Sequence, residues 1–181
     1  MSATALRVAS RVDTQDEGLL ALIHSLDELS AILIPLDKAT YGARLLPGVS
    51  GSIGEHVRHI LDHVAAFVVP RSHALMTYDH RERGTPVETD PRAAQRMIVR
   101  LKNALADAQD EDLDTSIAVL STLTRGEEPV LAWSTRKREL AFVISHTVHH
   151  QALIAVLLAI FGQGVPEAFG FAASTPAPAR A

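Results

Sequence analysis

The chain contains no cysteine. That excludes a disulfide framework and a cysteine nucleophile, and it suits a reducing cytosol. It also lacks a basic excess: 17 Lys and Arg stand against 21 Asp and Glu, for a formal net charge of −4. No basic stripe breaks that balance, so the electrostatics argue against nucleic-acid binding. The first residues, MSATALRVASRVDTQDEG, lack the long apolar core of a signal peptide. No internal repeat and no low-complexity block is present.

What is there is a chain of 181 residues, 47% hydrophobic and 21% charged, with a mean hydropathy of +0.12. This length suits one domain with a sizeable core. Leu140 to Gly162 is long enough to suggest a transmembrane span. Three histidines and Gln151 lie near its middle, and burying them in lipid without partners costs several kcal/mol. A central core helix in a protein without a membrane segment is the expectation.

Four helices are predicted. Leu19, Leu22, Leu26, Leu29, Leu33 and Leu36 form a seam at 3-4-3-4-3 spacing, capped by Asp13 or Thr14 and kinked or ended by Pro35. After the loop LLPGVSGS, Ser52 and Glu55 make a capping box for a second helix with Ile53, Val57, Ile60, Val64 and Phe67 on its apolar face. Asp90 and Pro91 match a cap and first-turn pair for a third helix, running to about Leu113 with Ala94, Met97, Ile98, Leu101, Leu105 and Ala108 inward. Residues 114–134 suggest a short hairpin or an irregular crossover. Ser134 or Thr135 caps the last helix, 135–161, and Gly162 and Gly164 stop it. The fold class implied is all-α: an antiparallel four-helix bundle over residues 13–174, with a long connection before the last helix. A mobile arm (1–12) and a tail (175–181) flank it.

The histidines are the unusual feature. His146 and His150 are four residues apart, so they stack on one helix face, with Val143, Leu153, Leu157 and Phe161 on the same side. His149 falls on the shoulder. The second helix carries His56, His59 and His63 along one edge of its apolar face. Neighbouring bundle helices lie about 8 to 10 Å apart, so one imidazole from helix two can meet the pair on helix four. Three nitrogens about 2.0 to 2.1 Å from a divalent metal would leave one position open. A buried imidazole without a partner costs free energy, and a metal would serve several at once. The pattern lacks the glutamate of HExxH, which excludes a metalloprotease helix. It also lacks paired Glu-x-x-His motifs, which disfavours a di-iron carboxylate bundle.

SIGEHVRHILDHVAAF together with SHTVHHQALIAVLLAIFGQGVP resembles the DinB/YfiT-like superfamily, over roughly residues 15–172. STRKREL and PEAFGFAAST resemble one subgroup of it, to which the resemblance attaches no chemistry. The superfamily implies a four-helix bundle with one histidine on helix two and HxxxH on the last helix. Those positions correspond here to His59, His146 and His150. It also implies one divalent transition metal, for which imidazole ligands suit Zn, Ni and Fe alike. Characterised members include bacillithiol transferases, mycothiol-dependent maleylpyruvate isomerase and the iron-binding part of sulfoxide synthases. A metal-bound low-molecular-weight thiol, or water, would then act as nucleophile.

The expected function is a cytoplasmic metal-dependent enzyme, a transferase or hydrolase acting on a small molecule. The alternative is a non-enzymatic stress-related bundle whose metal only staples the helices. A homodimer is expected from the apolar surface of helix one and the hairpin region. Glu139, two turns before His146, reads as a solvated glutamate of the capping turn, with a role beside the metal as the rarer option. His63 and His149 are polar neighbours of the metal or ordinary edge residues. Trp133 and Tyr41 read as core or loop anchors. Arg136 to Arg138 read as salt-bridged surface.

Overall fold

The computed structural model describes residues 14–45, 51–68, 75–80, 82–108 and 112–176, with side chains from residue 17 on. The proposed arm at 1–12, Asp13 and most of the proposed tail lie outside them. Five α-helices are present among these residues: α1 (Thr14–Leu33), α2 (Lys38–Gly42), α3 (Ile53–Val68), α4 (Pro91–Asp107) and α5 (Arg136–Ile160). Three strands accompany them: β1 (Leu75–Thr77), β2 (Ser116–Ser121) and β3 (Val130–Thr135). The fold is therefore not an all-α bundle. The connection before the last helix does form a hairpin, pairing β2 antiparallel to β3 with Ala118 opposite Trp133. β1 then adds in parallel on the other side of β2, Met76 beside Val119, and makes a three-stranded mixed sheet.

The four long helices share one core: α1 packs on α4 and α5, and α3 packs on the same two. The leucine seam of α1 is buried from Leu19 through Leu36, and so is the whole expected face of α3. Burying a leucine-sized side chain stabilises by roughly 1.5–3 kcal/mol, so these two stripes supply much of the driving force. Pro35 follows the end of α1 at Leu33. Asp90 caps α4 through the Arg92 amide, with Pro91 in the first turn. α4 ends at Asp107, six residues before Leu113; Leu113 is buried from the turn that leads into β2.

Gly54 locks α3 to the connection before α4. A Cβ there would overlap the Glu88 carbonyl oxygen and stand 2.7 Å from Tyr41 Cε1. Only a bare Cα permits that approach. Arg58 reinforces it, its Nε lying 2.6 Å from Glu88 Oε1 and its Nη1 2.6 Å from Asp62 Oδ2. Tyr41, from α2, is fully buried and donates to the Val87 carbonyl at 2.7 Å. It is an anchor, as its sequence context implies.

α5 is long and apolar enough to cross a membrane by composition. Here one side of it docks on α1 and α3. Its buried line is Leu140, Val143, Thr147, Gln151, Ile154 and Leu158. Leu153 is exposed, contrary to the expected face. Because α5 is apolar nearly all round, periodicity could not choose the face. Gln151 settles it, donating from Nε2 to the Ser25 carbonyl of α1 at 2.9 Å.

Candidate metal centre

Local chemistry aims α3. Glu55 N–H donates to Ser52 Oγ at 3.1 Å, and Ser52 N–H donates to Glu55 Oε2 at 2.8 Å. This is the full capping box, and it satisfies two amides that the helix leaves unpaired. One turn on, His56, His59 and His63 follow along one edge. On α5 the Thr135 side chain accepts from the Arg138 amide at 3.2 Å and fixes the helix start. His146, His149 and His150 come ten or more residues later, where α5 crosses α3.

At that crossing His59, His146 and His150 come together, with one ring nitrogen from each inside a 4.8 Å span. His59 Nε2 and His146 Nε2 are 2.9 Å apart. Ring centroids are 4.9 Å apart for His59 and His146, 4.5 Å for His59 and His150, and 4.6 Å for His146 and His150. Two nitrogens about 2.05 Å from one tetrahedral ion sit about 3.3 Å apart. Small ring rotations therefore convert this arrangement into a ligand set. All three imidazoles are half-buried rather than enclosed, which leaves a side open for a further ligand.

The electrostatics favour the neutral, ligating form of His150. Burial, then the neighbouring His146 and His56 imidazoles, push His150 down to about 3. Burial likewise lowers His56, against the opposing pull of Glu55. A metal must displace protons from its imidazoles, and for His150 that step is already taken near neutrality. His56 was not singled out as a partner by its spacing, yet its Nδ1 sits 3.0 Å from His150 Nδ1. It orients that ring from the α3 side. His149 is exposed, its ring 6.5 Å from His146.

His63 is buried and stacks on His146 with centroids 4.1 Å apart and 26° between planes. Its Nδ1 lies 2.9 Å from the His59 carbonyl oxygen, so that nitrogen carries the proton and donates. Tyr78 stacks on the far side of His63 at 5.0 Å and 9°. Tyr78 Oη donates to Glu139 Oε2 at 3.0 Å, and Ser134 Oγ donates to Glu139 Oε1 at 2.6 Å. Burial, followed by the Glu139 charge, pushes the Tyr78 phenol above its usual range, so it remains a donor. Glu139 is only 6% exposed. The solvated reading of that residue is wrong: Tyr78, 61 residues away, closes over it. Trp133 is the reverse case. It is 76% exposed on β3 rather than a core anchor.

An open cleft of about 600 Å³ runs between β3 and the first turns of α5, with Tyr78, Trp133, Glu139 and Phe142 among its walls. Phe142 lies one turn before His146, and the two rings stack at 5.5 Å. Phe142 thus stands between the cleft and the histidine cluster, and none of the clustered histidines lines the cleft itself. Tyr78 and Phe142 had no signal in the sequence alone, since neither belongs to a spaced motif.

A sequence profile of the DinB superfamily matches residues 21–154, which include all three clustered histidines. The chain belongs to the DinB superfamily. The histidine cluster fits the metal-binding description of that superfamily, and the mixed sheet is carried alongside its helices. This DinB-superfamily chain is also similar to the FK506-binding protein 5 of Rhizopus delemar, 30% identical over 102 residues. That stretch covers 56% of the chain and 26% of the relative, so the chain spans about a quarter of that protein.

Proposed function

We propose that this DinB-superfamily protein is a metal-dependent enzyme in which His59, His146 and His150 hold one divalent transition ion. The observation that carries the reading is the approach of three imidazole nitrogens from two helices within 4.8 Å. A bound ion of the Zn, Ni or Fe type would lower the pKa of a coordinated small thiol or water, supplying a nucleophile near neutral pH. The chain's own residues do the rest. His56 and His63 brace the rings of His150 and His146. Phe142 and Tyr78 shield one side of the cluster from water, and the cleft admits a small organic molecule. Transfer of a thiol, or hydrolysis, is the reaction class proposed, in a cytoplasmic setting.

The cleft beside His146 favours catalysis over a metal that only staples helices, because a stapling site needs no neighbouring cavity. The exposed Val130 and Leu131 on edge strand β3, together with Leu20 of α1, support a homodimer, which size-exclusion chromatography with light scattering checks. The primary experiment is metal analysis after loading with Zn, Ni or Fe(II). One ion per chain is expected in the parent, and far less in His59→Ala, His146→Ala and His150→Ala. Cobalt(II)-loaded protein given 2-mercaptoethanol should develop a thiolate-to-metal charge-transfer band. Parent protein that takes up well under one ion per chain sinks the proposal.

A further inference from the structure

The cleft next to the histidine cluster has a chemical preference of its own. Its side walls are apolar: Val119, Ala132, Trp133 and Phe142. Its floor is polar and one-sided. Glu139 is a buried carboxylate that only accepts hydrogen bonds. The hydroxyl protons of Tyr78 and Ser134 are both directed at it. What these three side chains offer an incoming molecule is oxygen, and therefore acceptors. Against these three side chains a ligand head that donates is matched and one that accepts is not; Ser121, Thr135 and Arg138 complete the polar lining.

The protein's own side chains show which donor. Arg138 is the cation that reaches the mouth. Its Nη1 lies 3.7 Å from Glu139 Oε1, and its guanidinium carbon lies 5.8 Å from the centroid of Phe142. The side chain is 64% exposed, so it rests at the mouth without filling the floor. A buried carboxylate in a cleft also lined by Phe142 and Trp133 is the combination that binds ammonium groups, by charge-assisted hydrogen bonds and by the negative faces of aromatic rings. The volume, about 600 Å³, lies within the roughly 300–1,000 Å³ typical of ligand pockets.

We infer that this cleft binds a small organic ammonium with an apolar body, its cationic head on Glu139 and its body between Trp133 and Phe142. Arg138 holds the place of the head until the ligand displaces it. Calling this molecule a substrate rests on the metal-centre reading above; its binding does not.

Trp133 is the single tryptophan of the chain, so its fluorescence reports directly on the cleft. The probe is 2-phenylethylammonium, compared with phenylacetate and 2-phenylethanol, titrated into both metal-free and metal-loaded protein. Saturable quenching by the ammonium is expected in both forms, at least about tenfold tighter than by the other two compounds. Glu139→Gln should weaken it about tenfold, with folding checked by circular dichroism. Arg138→Ala, at an exposed position, should leave the ammonium equally or more tightly bound. Tighter binding of phenylacetate, loss of ammonium binding in Arg138→Ala, or no saturable response to the ammonium would overturn the inference. Ammonium binding to metal-free protein separates this result from any failure of the metal site.

Discussion

Replacing Gly54 with alanine tests the join between fold and metal centre. The new methyl would collide with the Glu88 carbonyl oxygen and lie 2.7 Å from both Glu88 C and Tyr41 Cε1. Relaxed carbon contacts are about 3.5–4.0 Å, so α3 must retreat by about 1 Å. None of the obstacles yields easily. Glu88 is backbone, and Tyr41 is fully buried with its hydroxyl tied to Val87. Overpacking of this kind costs about 1–3 kcal/mol or more, and alanine's better helix propensity returns about 1 kcal/mol. With backbone and a buried ring as the obstacles the cost falls at the upper end, about 3 kcal/mol, so a net loss of roughly 2 kcal/mol follows, which lowers the melting temperature of a chain this size by roughly 4–8 °C. His59 is on the same helix, and metal–ligand distances tolerate only about 0.2 Å. Metal affinity should therefore fall as well, roughly 10-fold or more. Differential scanning calorimetry and a metal titration read the two effects. A variant that melts with the parent and binds metal equally well would show that α3 is not held by this contact.

Three further outcomes are expected. Metal-free protein should lose stability as pH falls below about 6.5, the ordinary histidine value, because the unfolded chain takes up protons that His150, held at about 3, and the likewise depressed His56 refuse; urea unfolding at pH 7 and pH 5 measures this, and equal midpoints would refute it. Ser52→Ala removes one half of the capping box and should cost about 1 kcal/mol, seen as a lower urea midpoint with an unchanged slope. Free metal at a hundredfold over its dissociation constant should stabilise the parent by about 2.7 kcal/mol, or roughly 5–11 °C, and should leave His59→Ala unmoved.

Features written within a few residues of one another were legible in the sequence. The leucine seam, the Ser52–Glu55 box, the Asp90–Pro91 start and the Thr135 cap each depend on local spacing, and each is found as expected. The one-turn pairing of His146 with His150 is of the same kind, and the structure brings His59 to it. Long-range features were not legible. β1 is three residues long and pairs with Ala118 to Leu120, more than forty residues on, so nothing local marks it. The burial of Glu139 depends on Tyr78, and the rotation of α5 on Ser25; both are partners that spacing cannot reveal.

β3 ends at Thr135 and α5 begins at Arg136, with no residue between them. The ribbon bearing the indole and the rod bearing two of the three clustered nitrogens are thus joined without a loop. A shift of Trp133 has only Ser134 and Thr135 between it and the first turn of the helix that carries His146 and His150.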